Sequence, residues 1–176
     1  MLAPFPWIDV AIIFALIVLN GLFSMSELAI VSSRTARLEA MARAGRNGAG
    51  ARTAIQLAAD PGKFLSTVQI GITLIGIIAG AYSGASLGEP TAQRIELLGV
   101  SDELAHTLGI AIVIGLTTFG SLVAGELVPK QFALRSPEPI AVLVAVPLLW
   151  ISRATAPLVW LLDSTTKLIF RLIGLD

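Results

Sequence analysis

The chain has 176 residues, of which 55% are hydrophobic and 14% charged, with no cysteine and a formal net charge of zero from twelve basic and twelve acidic residues. Soluble domains carry about 25% charged residues, so this deficit, with a mean hydropathy of +0.84, points to a chain solvated by lipid and excludes a disordered or polar fibrous protein. The charge balance gives no sign of a polyanion partner, so no nucleic acid is expected, and the missing cysteine removes disulfides, thiolate metal sites and cysteine nucleophiles.

A helix rises about 1.5 Å per residue, so a hydrocarbon core of about 30 Å takes roughly 20 residues to cross. Three stretches reach that length, residues 9–32, 64–87 and 105–128. The amino terminus, MLAPFPW, lacks the basic residues of a signal peptide and its apolar run continues too far for one, so it leads into the first span. Between spans one and two, residues 33–63 carry six basic residues against Glu39 and Asp60, a net +4. The predicted outer loop, residues 88–104, carries Arg94 against four acids, a net −3. The positive-inside rule then sets the amino terminus outside and the carboxyl terminus in the cytoplasm. Within the basic loop, TARLEAMARA reads as an interfacial helix ended by Gly45, and GAGARTAIQLAA as a second closed by Asp60-Pro61-Gly62.

After span three, the apolar run Ile140 to Ile151 has 12 residues and contains Pro147. It is short for a crossing, and residues 137–151 are expected to dip into the inner leaflet. Residues 157–175 read as a juxtamembrane helix lying on the membrane, because Asp163, Lys167 and Arg171 recur every four residues along one face. Trp150 and Trp160 are expected at headgroup depth, in contact with membrane lipid. The expected fold is therefore all-α and integral to the membrane: three spans, short interfacial helices and an amphipathic carboxyl-terminal helix. Three spans enclose a pathway poorly, so a homodimer is expected.

Polar residues inside the spans carry the functional signal. Asn20, Ser24 and Glu27 share one face of span one. Span three ends in GELVPK, where Pro129 lacks the amide hydrogen that would satisfy the carbonyl of Gly125, four residues back. Glu126 sets a carboxylate beside that carbonyl, and an intramembrane carboxylate is a functional candidate by default. The other eleven acids are assigned to loops, interfaces or span ends. Asn20, Ser24, Gly125 and Glu126 together offer amide, hydroxyl, carbonyl and carboxylate oxygens, a hard donor set suited to magnesium, calcium or sodium and not to zinc, copper or iron. Gln69, Thr73, Ser121 and Lys130 are candidates to line the same cavity. The Gly76, Gly80 and Gly84 series reads first as a surface for close helix packing. Nothing here points to an enzyme: no phosphate-binding glycine loop precedes a helix, and His106, the one histidine, lies at the outer edge of span three, away from the span-one serines.

NGLFSMSELA in span one, QIGITL in span two and GELVPK in span three, in that order and spacing, resemble the transmembrane domain of the CorC/CNNM (cyclin M) magnesium transporter family. The resemblance covers nearly the whole chain, with GELVPK its most specific element. It implies a homodimeric domain of the bacterial inner membrane that exports Mg2+, with Na+ entry as the coupling reaction. It also implies an ion site formed by Asn20, Ser24, Gly125 and Glu126, and ATP-binding CBS modules in the cytoplasm after Asp176 in a longer protein. A membrane-anchored sensor that binds the divalent cation without moving it is the alternative.

Overall fold

A computed structural model of the chain describes residues 4–45 and 47–174; Leu175, the last residue of the predicted juxtamembrane helix, lies outside the described residues. The regular structure among them is entirely helical: α1 (Trp7–Ser32), α2 (Thr35–Arg43), α3 (Gly48–Ala59), α4 (Pro61–Glu96), α5 (Asp102–Leu122), a π-helical turn (Val123–Leu127), α6 (Val128–Arg135), α7 (Pro137–Ala154) and α8 (Ala156–Ile173). Gly45 at φ +75° and Asn47 at φ +57° turn the chain from α2 into α3, where left-handed backbone favours glycine or asparagine. Pro61 opens α4, in the first turn where its missing N–H costs no helical bond.

Four stretches are long and apolar enough to cross a membrane by length and composition: Trp7–Ser32, Pro61–Glu96, Asp102–Arg135 and Pro137–Ala154. The sequence count was three. The difference is α7, in which Pro137 starts a helix that continues through Pro147, so the 12-residue apolar run is embedded in an 18-residue helix.

The predicted outer loop is also mostly helix, because α4 runs 36 residues and passes through Pro90 to Glu96. Packing explains this. A Cβ on Gly109 of α5 would stand 2.7 Å from the carbonyl oxygen of Gly88 and 2.8 Å from the amide nitrogen of Ala92. The two backbones meet where only glycine fits, and Leu87 and Ala92 are buried. This contact carries the helix past a proline that removes one of its hydrogen bonds.

The chain divides into two compact units, one of Met1–Met25 with Gly71–Gln131 and one of Ser26–Ile70 with Phe132–Asp176. The first is built on Ile13, Ile17, Leu87 and Val113, flanked by Phe5, Val10 and Tyr82. Two polar pairs join its helices. The Tyr82 hydroxyl donates to Asp9 at 2.5 Å, and the exposed His106 pairs with Glu89 at 3.1 Å.

In the second unit α3 packs against α2 and α7. Gly50 is the closest approach: a Cβ there would stand 2.3 Å from the carbonyl oxygen of Val142. Ala51 and Ala54 on α3, and Ala141 and Ala145 on α7, are fully buried, so small residues bring these helices together. Glu138, which the sequence reading placed among the undemanding acids, is only 4% exposed. Its carboxylate accepts the Arg34 backbone N–H at 3.3 Å and lies 3.7 Å from the Arg37 guanidinium. Burial follows from the packing of α2 on α7, which local sequence does not reveal. In α8 Val159 is buried while Leu158, Leu161, Leu162, Ile169, Leu172 and Ile173 are exposed, an apolar surface of the kind that lies in a membrane.

Candidate cation site

The first unit's second close approach is between α1 and the π-helical turn. A Cβ on Gly21 would stand 2.9 Å from Pro129 Cγ and 3.1 Å from the Ala124 carbonyl oxygen; a Cβ on Gly125 would stand 3.1 Å from Asn20 Nδ2 and 3.2 Å from the Ile17 carbonyl oxygen. Two glycines thus let the backbones touch. The π turn sits at that point. The Val128 N–H reaches back five residues to the Val123 carbonyl, and Pro129, next in line, has no N–H to offer. Such single-turn bulges recur at functional sites.

The carbonyl that Pro129 leaves unserved does find a donor. Asn20 Nδ2 donates to the Gly125 carbonyl oxygen at 3.1 Å, buried, which occupies one of that oxygen's two lone pairs. The same bond orients the amide, and Asn20 Oδ1 is left buried with no hydrogen-bond partner among the described residues. Ser24 Oγ, one turn along α1 and 0% exposed, is likewise without a partner. Buried polar atoms are almost always paired, and each unpaired one costs about 1–3 kcal/mol. Two unpaired oxygens on successive turns of one helix are a cost that a ligand would relieve.

A cavity of about 190 Å3 opens beside Asn20, lined by Asn20 of α1, Ile72, Gly76 and Gly80 of α4, Thr117, Thr118, Ser121 and Leu122 of α5, and Glu126. Glu126 is about one-third exposed and accepts a hydrogen bond from Lys130 Nζ at 2.8 Å. Among the described residues no cluster of three or more His, Asp or Glu converges. A cation here would therefore meet amide and hydroxyl oxygens with a single carboxylate, which is hard-ion chemistry.

Of the four predicted ligands, Asn20 and Glu126 line this cavity, Gly125 is bonded to Asn20, and Ser24 is buried and is not among the lining residues. Ser121 lines it as expected. Thr73 does not: Ile72, Gly76 and Gly80 present one edge of α4, and Thr73, about 100° round from Ile72, is exposed. Gln69 is exposed and belongs to the other unit. Lys130 is absent from the lining and engages Glu126 instead. The glycine series splits. A Cβ on Gly84 would press on Ile114 Cδ1 at 3.3 Å, whereas Cβ atoms on Gly76 and Gly80 would meet nothing within 4 Å among the described residues, so those two line the cavity without such a close helix contact. Thr117 was missed; its spacing of four from Ser121 was the available signal.

Comparison with known proteins agrees with this architecture. The chain is 46% identical over 168 residues to the UPF0053 protein sll0260 of Synechocystis, covering 96% of this chain and 37% of that one. It is 34% identical to the UPF0053 protein YhdT of Bacillus subtilis, covering 91% and 34%. It is 28% identical to the polyamine export protein of Escherichia coli, covering 95% and 37%. The chain thus spans little more than a third of the length of these relatives. Residues 11–175 match the family described as the cyclin M transmembrane N-terminal domain, and the chain, an integral membrane domain by its helices and its relatives, belongs to that CNNM family.

Proposed function

We propose that the chain is the membrane part of a magnesium transporter, a homodimer that moves Mg2+ outward by alternating access against an inward flow of Na+. The observation that carries this reading is the pair of buried, unpartnered oxygens, Asn20 Oδ1 and Ser24 Oγ, with Asn20 lining the same cavity as Glu126. Asn20 Oδ1, Ser24 Oγ and the second lone pair of the Gly125 carbonyl replace water oxygens of the ion, and Glu126 compensates its charge. Thr117, Thr118 and Ser121 give the approach a hydroxyl lining that accommodates waters the ion retains, as magnesium dehydrates reluctantly. Lys130 is the resident counter-ion of Glu126 between cargoes: its ammonium holds the carboxylate while no cation is bound and withdraws when one arrives. Outward direction and Na+ coupling rest on the family resemblance.

A second reading draws on the same ion pair. An ammonium 2.8 Å from Glu126 is the group an organic polyamine would present, and one relative is a polyamine export protein. Flux in proteoliposomes separates the readings. Mg2+ flux that rises with an opposing Na+ gradient, and falls at least about tenfold in Glu126→Gln, supports the magnesium reading. Spermidine flux without Mg2+ flux selects the polyamine reading, Mg2+ binding without flux a sensor, and unchanged Mg2+ flux in Glu126→Gln refutes the site.

A further inference from the structure

The second unit contains a cavity that the cation site does not use, about 290 Å3 and lined by Lys63, Ser152, Ala156, Val159, Trp160 and Asp163. These residues come from the start of α4, the end of α7 and the first half of α8. Its size lies at the lower end of small-molecule sites, roughly 300–1,000 Å3.

Its electrostatics are unusual. Lys63 and Asp163 face one cavity with opposite charges, yet neither takes part in any ion pair or hydrogen bond of its side chain among the described residues. A cation and an anion that line one pocket without an ion pair between them match a ligand carrying both signs of charge. The backbone that carries Lys63 is tied to its neighbours. Buried Thr67 donates to the Lys63 carbonyl oxygen at 3.0 Å and lies 3.4 Å from Ser152 Oγ and 3.2 Å from Thr155 Oγ1, which ties the start of α4 to the corner between α7 and α8. A pocket whose helices are held in place loses less entropy when it binds.

The surroundings identify the rest of the ligand. Trp160 is 70% exposed, and Leu158, Leu161 and Leu162 beside it are exposed as well. Tryptophan between polar groups and bare leucines marks the membrane interface. A water-soluble zwitterion would leave that apolar surface uncovered, whereas acyl chains would cover it.

The geometry points to a site for one phospholipid with a zwitterionic, primary-ammonium headgroup, of the phosphatidylethanolamine class. Lys63 and the Ser152 hydroxyl take the phosphate, Asp163 takes the ammonium, and Trp160 lies along the glycerol and upper chains. A primary ammonium donates hydrogen bonds to a carboxylate, which a quaternary choline cannot do, and Asp163 repels headgroups whose only charge is negative.

The test is lipid retention by the full chain in detergent, offered an equal mixture of phosphatidylethanolamine, phosphatidylglycerol and phosphatidylcholine with the same chains and read by native mass spectrometry. Phosphatidylethanolamine should be enriched about tenfold over phosphatidylglycerol. Asp163→Asn should erase that preference, and Lys63→Met should lower retention of all three, with circular dichroism showing both variants folded. Equal retention of the three lipids, a preference for phosphatidylcholine, or an enrichment that survives Asp163→Asn overturns the proposal. Free phosphoethanolamine that displaces the lipid at equal concentration overturns its assignment to a membrane lipid.

Discussion

The two units bury polar groups in opposite ways. In the second, the Glu138 carboxylate is almost fully buried and answered on both oxygens, by the Arg34 amide and the Arg37 guanidinium. In the first, Asn20 Oδ1 and Ser24 Oγ are buried as deeply and find no partner among the described residues. Chemistry available nearby does not explain the contrast, since Asn20 Nδ2 on the same amide finds its acceptor at 3.1 Å. Satisfied burial is what a structural joint needs. Oxygens left unsatisfied are what a site for a departing cargo needs, because a cation must gain enough from them to enter and yet be able to leave.

The comparison can be broken at each end. The largest effect is expected at Gly50, where a Cβ would stand 2.3 Å from the Val142 carbonyl oxygen. Backbone cannot yield as a side chain does, so Gly50→Ala should force α3 off α7 and cost about 1–3 kcal/mol or more, seen as a lower unfolding temperature with the Mg2+ response of the remaining folded protein intact. Next comes Glu138→Ala, which leaves the Arg34 amide unserved and should cost about 1–3 kcal/mol, again without altering Mg2+ affinity. Arg37 is 67% exposed, so solvent screens its share and Glu138→Gln, which keeps an acceptor for the amide, should recover most of the loss. The smallest effect is at Lys130. Its pair with Glu126 is one-third exposed at both ends and worth under about 1 kcal/mol, so Lys130→Met should barely change stability while raising Mg2+ affinity a few-fold in titration calorimetry. A fall in affinity would contradict the role of Lys130 as a counter-ion that competes with the cargo.

What could be read from the sequence was what depends on local chemistry. The apolar run 9–32 became Trp7–Ser32, and the glycine and proline that punctuate the basic loop ended α2 and opened α4. Asn20 and Gly125 stood out through a polar face in an apolar helix and a proline's missing hydrogen, whereas the hydrogen bond between them was not legible, because it depends on α1 meeting the π turn. What could not be read depends on which backbones meet. The passage of α4 through Pro90 rests on Gly109 facing Gly88 and Ala92. The burial of Glu138 rests on α2 covering α7, and the openness of Gly76 and Gly80 on no helix having come to fill them. The glycine spacing that suggested packing is the same whether a helix or a cavity lies opposite.

If Ser24 Oγ is left unpaired for a cation, the unfolding temperatures of wild type and Ser24→Ala, with and without Mg2+, must differ in a defined way. Removing a buried, unpaired hydroxyl relieves up to about 1–3 kcal/mol of desolvation cost. The account therefore predicts a Ser24→Ala protein at least as stable as wild type without Mg2+ that has lost most of the stabilisation Mg2+ confers on wild type. A variant less stable without the ion, with its Mg2+-dependent rise undiminished, would contradict it.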